Sequence, residues 1–294
     1  MLEEMRTRPA MFAGSWYAAD PYELTRGIDR LLADAANLPP ETIEPGLELV
    51  GVVAPHAGHR YSGRVAAAAF RLLRGGCWDS ILLIGPSHRI PVDNAVLVAD
   101  VAAYATPLGL VHVDRAAVEA LAQRVPVQLL NDDIEHSLEI ELPFLQRALA
   151  PLPPMLPLMV GYPNLSFARQ LAEALAHVLH GRRTLLIASS DWSHYYPDAQ
   201  ARQLDRCGIK LFLNLDAEGF ASALATGMTQ ACGAGALLIA LLLARLWSAD
   251  RALELAYATS GDVTGDRSRV VGYAAIAMLR RQVGREQGSE DADG

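Results

Sequence analysis

The chain has 294 residues, 51% of them hydrophobic and 20% charged, with a net charge of −8 spread along its length rather than gathered in blocks. That suits one large α/β domain with a sizeable core, and the absence of a Lys/Arg stripe to neutralise phosphates argues against nucleic acid as a partner. Three widely spaced cysteines, Cys77, Cys207 and Cys232, argue against a disulfide framework, and the most apolar stretch, Ala231 to Ala244, is shorter than the roughly 20 residues that span a bilayer, so a reducing, cytoplasmic setting with no membrane partner is expected.

Asp20-Pro21 reads as an N-cap followed by a proline at the first helical position, opening a helix to about Ala36. The stretch Asn37 to Gly46, with three prolines, reads as a loop. A strand over Leu49 to Ala54 follows, then a small-residue helix from about Ser62 to Leu73 and a strand ending at Gly85. Ala95 to Val98 reads as a further strand, followed by a Gly/Pro-punctuated loop and a helix from Asp114 to about Arg124. Glu135 to Leu149 has helical spacing, with Pro143 set to end its first turns or to kink it. Met155 to Val160 and Thr184 to Ala188 bracket a helix from Ser166 to His180. Beyond His194 the pattern predicts helices over Ala199 to Asn214, Asp216 to Ala225 and Gly233 to Trp247, then strands over Ala252 to Ala258 and Val270 to Met278. This alternation predicts a single three-layer α/β/α domain over residues 1–283, with a central mixed, largely parallel sheet and a polar tail from Gly284 to Gly294.

Histidines follow several of these apolar runs. Leu49 to Pro55 leads into His56, Ile81 to Ser87 into His88, and Thr184 to Ser193 into His194 with Asp191 on the way. A weaker instance is Val125 to Leu130, whose acidic loop Asn131-Asp132-Asp133 precedes His136. Ligands of open α/β sheets bind outside the carboxyl ends of the parallel strands, so imidazoles at several strand ends converge on a metal or acid–base site. Singly, each has the bland reading of a hydrogen-bonded loop residue. Together, His56, His59, His88, His136 and His194 make five of the eight histidines, and that concentration favours a site. His177 and His180, spaced i, i+3, read as a solvated helix face in preference to a metal pair.

Cys232 sits where a loop turns into an apolar helix. Such a thiol suits a metal ligand or nucleophile, and equally a small packed residue. Glu139, three residues after His136, reads either as a partner holding that imidazole or as a helix-surface acid.

Ala13-Gly14-Ser15-Trp16-Tyr17, Ala54-Pro55-His56-Ala57-Gly58, Tyr61-Ser62-Gly63, Ile84-Gly85-Pro86-Ser87-His88, Glu135-His136-Ser137-Leu138-Glu139, Leu142-Pro143-Phe144, Ser189-Ser190-Asp191-Trp192-Ser193-His194 and Cys232-Gly233 occur in the order of the Memo-like proteins, whose bacterial and archaeal members are called AmmeMemoRadiSam system protein B. The resemblance runs from about Ala13 to Met278. It implies a fold related to the class III extradiol (LigB-like) dioxygenases, with His56, His88 and Cys232 as metal ligands. It further implies His194, Asp191 and His136 as catalytic pocket residues, with His194 in the place of the dioxygenase acid/base histidine. His59, Trp192 and Glu139 would face substrate. His59 departs from the tyrosine usual after Ala-Gly, Tyr196 from a common glycine and Gln230 from a common threonine. Radical-SAM and AMMECR1-like proteins are the partners that the family name implies.

Two imidazoles and a thiolate suit Fe(II) or Cu, with Zn a further fit, and three protein ligands leave positions for water or substrate. Three classes of function stay open at this stage. The first is a metal-dependent oxidoreductase in which His194 moves protons. The second is a non-catalytic protein using the same pocket to bind metal, ligand or a partner. The third is a hydrolase, either through zinc or through Ser189 or Ser190 with His194 and Asp191, although no Gly-x-Ser-x-Gly elbow supports the serine version.

Overall fold

A computed structural model describes residues 6–35, 44–162 and 164–282. The polar tail and most of the expected Asn37 to Gly46 loop lie outside the described residues.

Nine strands form the main sheet. Across it run His194–Tyr196, Val270–Arg281, Leu47–Ala54, Thr184–Ser189, Ser80–Pro86, Met155–Val160, Val96–Ala99 and Val127–Leu130, with Arg251–Thr259 also paired to Val270–Arg281. The four strands from Leu47–Ala54 to Met155–Val160 are mutually parallel, whereas Val270–Arg281 joins their edge antiparallel. Ser80–Pro86 and Met155–Val160 are buried along their whole lengths. Their continuous apolar runs are the mark of strands covered on both faces.

One cover is the helix His59–Phe70, backed by Pro21–Ala35 and Leu142–Ala148. The other centres on Ala234–Leu246, which packs against the four central strands and against Leu165–Val178. Ala234–Leu246 is apolar around most of its circumference, and all but its last two residues are buried. It is a core helix of 13 residues, and no helix among those described is long and apolar enough to cross a membrane.

Most predicted elements are present within a few residues, because their ends carry chemical stops. Asp20 accepts from the Glu23 N–H, Asp114 from Ala117, Asn164 from Phe167 and Asp216 from Gly219, each satisfying an open donor of a first turn. Three readings are corrected. The loop after Ala99 contains a hairpin, Ala103–Thr106 with Gly109–His112, to which Thr7–Arg8 adds in parallel as a small second sheet. Glu135 to Leu138 is not helical; a 3-10 turn, Glu139–Glu141, leads into Leu142–Ala148, where Pro143 occupies the first turn and breaks nothing. His194 to Tyr196, expected as loop, is a short edge strand.

Candidate metal centre

Three neighbouring parallel strands end side by side, and each delivers a residue to the same place. Leu47–Ala54 leads to His56, Thr184–Ser189 to Asp191, and Ser80–Pro86 to His88. His136 comes from the loop ahead of the Glu139–Glu141 turn. One potential ligand atom from each of His56, His88 and His136 lies within 4.8 Å of the others. The rings of His88 and His136 stack at 4.6 Å between centroids, and His56 stands edge-on to both, at 5.4 and 5.3 Å. Burial is graded: His56 is buried, His136 half-buried and His88 exposed, so one side of the cluster meets solvent.

Each ring is held from behind. His56 Nδ1 lies 2.8 Å from Ser189 Oγ, which donates to the Ser137 carbonyl or the Glu141 carboxylate, each 2.7 Å away. That leaves His56 Nε2 facing the cluster. Glu135 Oε1 takes His88 Nδ1 at 2.9 Å and lies 3.0 Å from His136 Nδ1, though poorly aligned with the latter, while Glu135 Oε2 accepts the His88 backbone N–H at 2.5 Å. Burial opposes the Glu135 charge, but these hydrogen bonds outweigh it and hold its carboxyl far below the ordinary range. A carboxylate behind a histidine fixes ring orientation and raises ligand basicity, the arrangement expected around a bound metal.

Burial, reinforced by the charges of His136 and His88, pushes the His56 pKa well below its ordinary value. The ring is therefore a neutral lone-pair donor at pH 7. Cys232 Sγ lies 3.1 Å from His56 Nε2 and accepts the Asp191 N–H at 3.2 Å. Desolvation and the Asp191 charge push its thiol well above the ordinary range, so it carries its proton unless a cation displaces it. Gly233 makes this approach feasible: a Cβ there would come 2.5 Å from the Ser189 carbonyl oxygen. The donor set, three close imidazoles with Glu135 and Ser189 behind them, fits a borderline transition metal.

Residues 8–277 match the family model for the Memo-like protein. The chain belongs to the Memo-like family. A MEMO1 family protein of Methanopyrus kandleri is 37% identical over 287 residues, covering 94% of this chain and all of that protein. One of Nitrosopumilus maritimus is 32% identical over 276 residues, with 92% and 99% covered, and one of Ignicoccus hospitalis is 34% identical over 283, with 92% and 98% covered.

Of the residues singled out from this Memo-like sequence, His136 joins the histidine cluster itself, and Cys232 stands beside it against His56. Asp191 Oδ1 accepts from the backbone N–H groups of His56 and Ala57, at 2.9 and 3.3 Å, and so fixes the loop that carries His56. Burial, partly offset by those two N–H groups, raises its pKa to about 7. His194 Nδ1 lies 2.7 Å from the Trp192 carbonyl, which makes it the protonated nitrogen and leaves Nε2 as acceptor. Burial lowers the His194 pKa, and the charge of His88 adds to that.

Other residues stand elsewhere. Glu139 does not hold His136; it is fully buried and accepts from Arg8, from the Met11 and Phe12 N–H groups and from the Tyr17 hydroxyl. Trp192 is buried in the core, edge-on to Phe220. His59 turns its Nε2 to the Ile140 carbonyl at 3.0 Å, stacked on Tyr17 and edge-on to Phe144. Ser189 is bound to His56, and Ser190 donates to the Asp191 carbonyl while accepting the Gly233 N–H, so neither hydroxyl is paired with His194. Neither serine is set against His194 as a nucleophile in this arrangement. His177 and His180 are exposed, as a solvated face should be.

Glu135 was not singled out, although its place directly before His136 is a sequence signal for a carboxylate partner. The N-terminal segment was missed too. Arg8 is buried with Nε 2.6 Å from Asp133, pairs with Glu139 and donates to the Glu135 carbonyl at 2.6 Å. Further along the same segment, the Trp16 ring lies 4.4 Å from His136 and Phe12 5.7 Å from it.

Proposed function

We propose that this Memo-like protein binds one transition metal ion, iron or copper in preference to zinc, through His56, His88 and His136, with Cys232 as a soft donor on the His56 side. The observation that carries the reading is the convergence of the three imidazoles within 4.8 Å, backed by Glu135 and Ser189. Bound there, the ion would supply a Lewis-acidic or redox centre. Around it, Asp191 fixes the His56 loop and Glu135 orients His88.

His194 Nε2 is the acceptor for a proton leaving a bound molecule, since its Nδ1 is committed to Trp192 and its lowered pKa keeps it neutral at pH 7. This favours a metal-dependent oxidoreductase. A non-catalytic metal holder is the second reading, supported by the burial of His56 and by a Cys232 thiol that desolvation keeps protonated.

Equilibrium dialysis with elemental analysis tests the binding. Wild type should retain about one equivalent, and His56→Ala, His88→Ala and His136→Ala should each lose it. Cys232→Ser should weaken soft-metal binding first. His194→Gln should keep the metal while turnover falls about 10²- to 10⁴-fold, the usual loss for a general acid–base group. Stoichiometric metal in all three histidine variants would refute the site.

A further inference from the structure

Ser189 Oγ has three partners and a single proton. It lies 2.8 Å from His56 Nδ1, 2.7 Å from the Ser137 carbonyl and 2.7 Å from Glu141 Oε1. The Ser137 carbonyl can only accept, and no other donor among the described residues reaches it, so the hydroxyl proton belongs there. Both Ser189 lone pairs are then left to receive protons from elsewhere. His56 Nδ1–H supplies one. The other faces Glu141 Oε1, and that contact is a hydrogen bond only if the carboxyl oxygen carries a proton.

The surroundings of Glu141 favour the same assignment. Its side chain is fully buried, and its second oxygen, Oε2, has no hydrogen-bond partner. No ion pair reaches it among the described residues. From the end of Thr184–Ser189 come Ser189 and the acid Asp191, His56 behind Ser189 is neutral, and His59 is turned to the Ile140 carbonyl. Arg8, which pairs with Glu139 two residues earlier in the chain, is committed to that carboxylate and to Asp133. An ionised Glu141 would leave a bare anionic oxygen in the core and would draw the Ser189 proton away from the Ser137 carbonyl, stranding that acceptor too. Burial, opposed by the Ser189 contact and reinforced by the Asp191 charge, pushes the Glu141 carboxyl well above its ordinary range.

We infer that Glu141 is a neutral acid that donates to Ser189 Oγ and acts, through that serine, as a positioning residue for His56, keeping the Nε2 lone pair of the ring turned to the cluster. Its proton completes the count around Ser189: two bonds accepted, from Glu141 and His56, and one donated, to Ser137. The positioning role rests on the metal-site reading, whereas the neutral acid needs no ion.

The test compares full-length, metal-free wild type with Glu141→Gln, whose amide keeps a donor for Ser189 and cannot ionise. Unfolded Glu141 loses its proton above about pH 4.3 while the folded chain holds it, so the stability this group contributes is complete below that pH and is lost as pH rises. In urea unfolding, the ratio of unfolding constants, wild type over variant, should therefore rise about tenfold per unit between about pH 5 and 7, the other titrations being common to both proteins. An infrared difference spectrum of the two folded proteins should show the carbonyl band of a protonated carboxyl in wild type only, Asp191 cancelling because both contain it. A flat ratio or a missing band would overturn the inference. Dialysis against metal reads the positioning role. Glu141→Gln should hold metal as wild type does, and Glu141→Leu, which offers Ser189 no donor, should hold it about tenfold more weakly. Equal affinity in all three, or a Gln variant as weak as the Leu one, would sink that role; a wild type that holds no metal would sink the metal reading and leave the neutral acid standing on its band and its pH dependence.

Discussion

Glu135 Oε1 stands 2.9 Å from His88 Nδ1 and 3.0 Å from His136 Nδ1, one oxygen behind two rings. Glu135→Gln keeps the shape but removes the charge that orients His88 and stands behind His136. It should weaken metal affinity about 10- to 100-fold by dialysis, with the unfolding midpoint little changed; unaltered affinity would mean that the rings orient themselves. His59 gives a pH-dependent counterpart. Burial lowers its pKa from 6.5 to about 4, against which the Ile140 carbonyl pulls upward. Because the folded value lies below the unfolded one, the unfolded chain takes the proton first. The contribution to stability is therefore complete above about pH 6.5 and is lost as pH falls toward about 4, on the order of 3 kcal/mol. His59→Phe, which preserves packing on Tyr17 and Phe144, should flatten urea-unfolding stability across that window. At this scale the sequence shows which histidines end strands. It does not show which way a ring turns: both His59 and His136 were expected at the pocket, and His59 instead faces a backbone carbonyl while His136 joins the cluster.

The segment from Arg8 to Tyr17 is tied down by one carboxylate. Glu139, fully buried, accepts from Arg8, the Met11 and Phe12 N–H groups and the Tyr17 hydroxyl, while Arg8 also reaches Asp133 and the Glu135 carbonyl. Removing one partner of a buried pair strands the other charge. Glu139→Gln should therefore cost about 3–5 kcal/mol in urea unfolding, and it should loosen Trp16 from His136. A cost below about 1 kcal/mol would contradict a tether of this kind. Helices were legible because Asp20, Asp114, Asn164 and Asp216 mark their starts. Thr7–Arg8 was not, since a two-residue strand carries no periodicity and exists only through its pairing with Ala103–Tyr104. The Arg8 tether is equally long-range: its partners lie more than 120 residues away.

Over the whole molecule, the strand order brings the ends of Leu47–Ala54, Thr184–Ser189 and Ser80–Pro86 together although they are scattered along the chain. The alternation of apolar runs and amphipathic segments made the layered α/β/α architecture readable, because fully buried parallel strands leave continuous hydrophobic stretches. Which strands would be neighbours was not readable, and the cluster depends on that. Hence His56 and His88 were legible as strand-end residues, while the inclusion of His136 depends on a loop whose position is fixed by Glu135 and Arg8. The central claim is a metal ion held by three imidazoles. Anomalous diffraction from crystals of iron- or copper-loaded protein, recorded at the edge of the loaded metal, tests it most directly. The account predicts a single strong peak about 2.0–2.1 Å from one nitrogen each of His56, His88 and His136; no peak there, or one bound elsewhere on the chain, would contradict it.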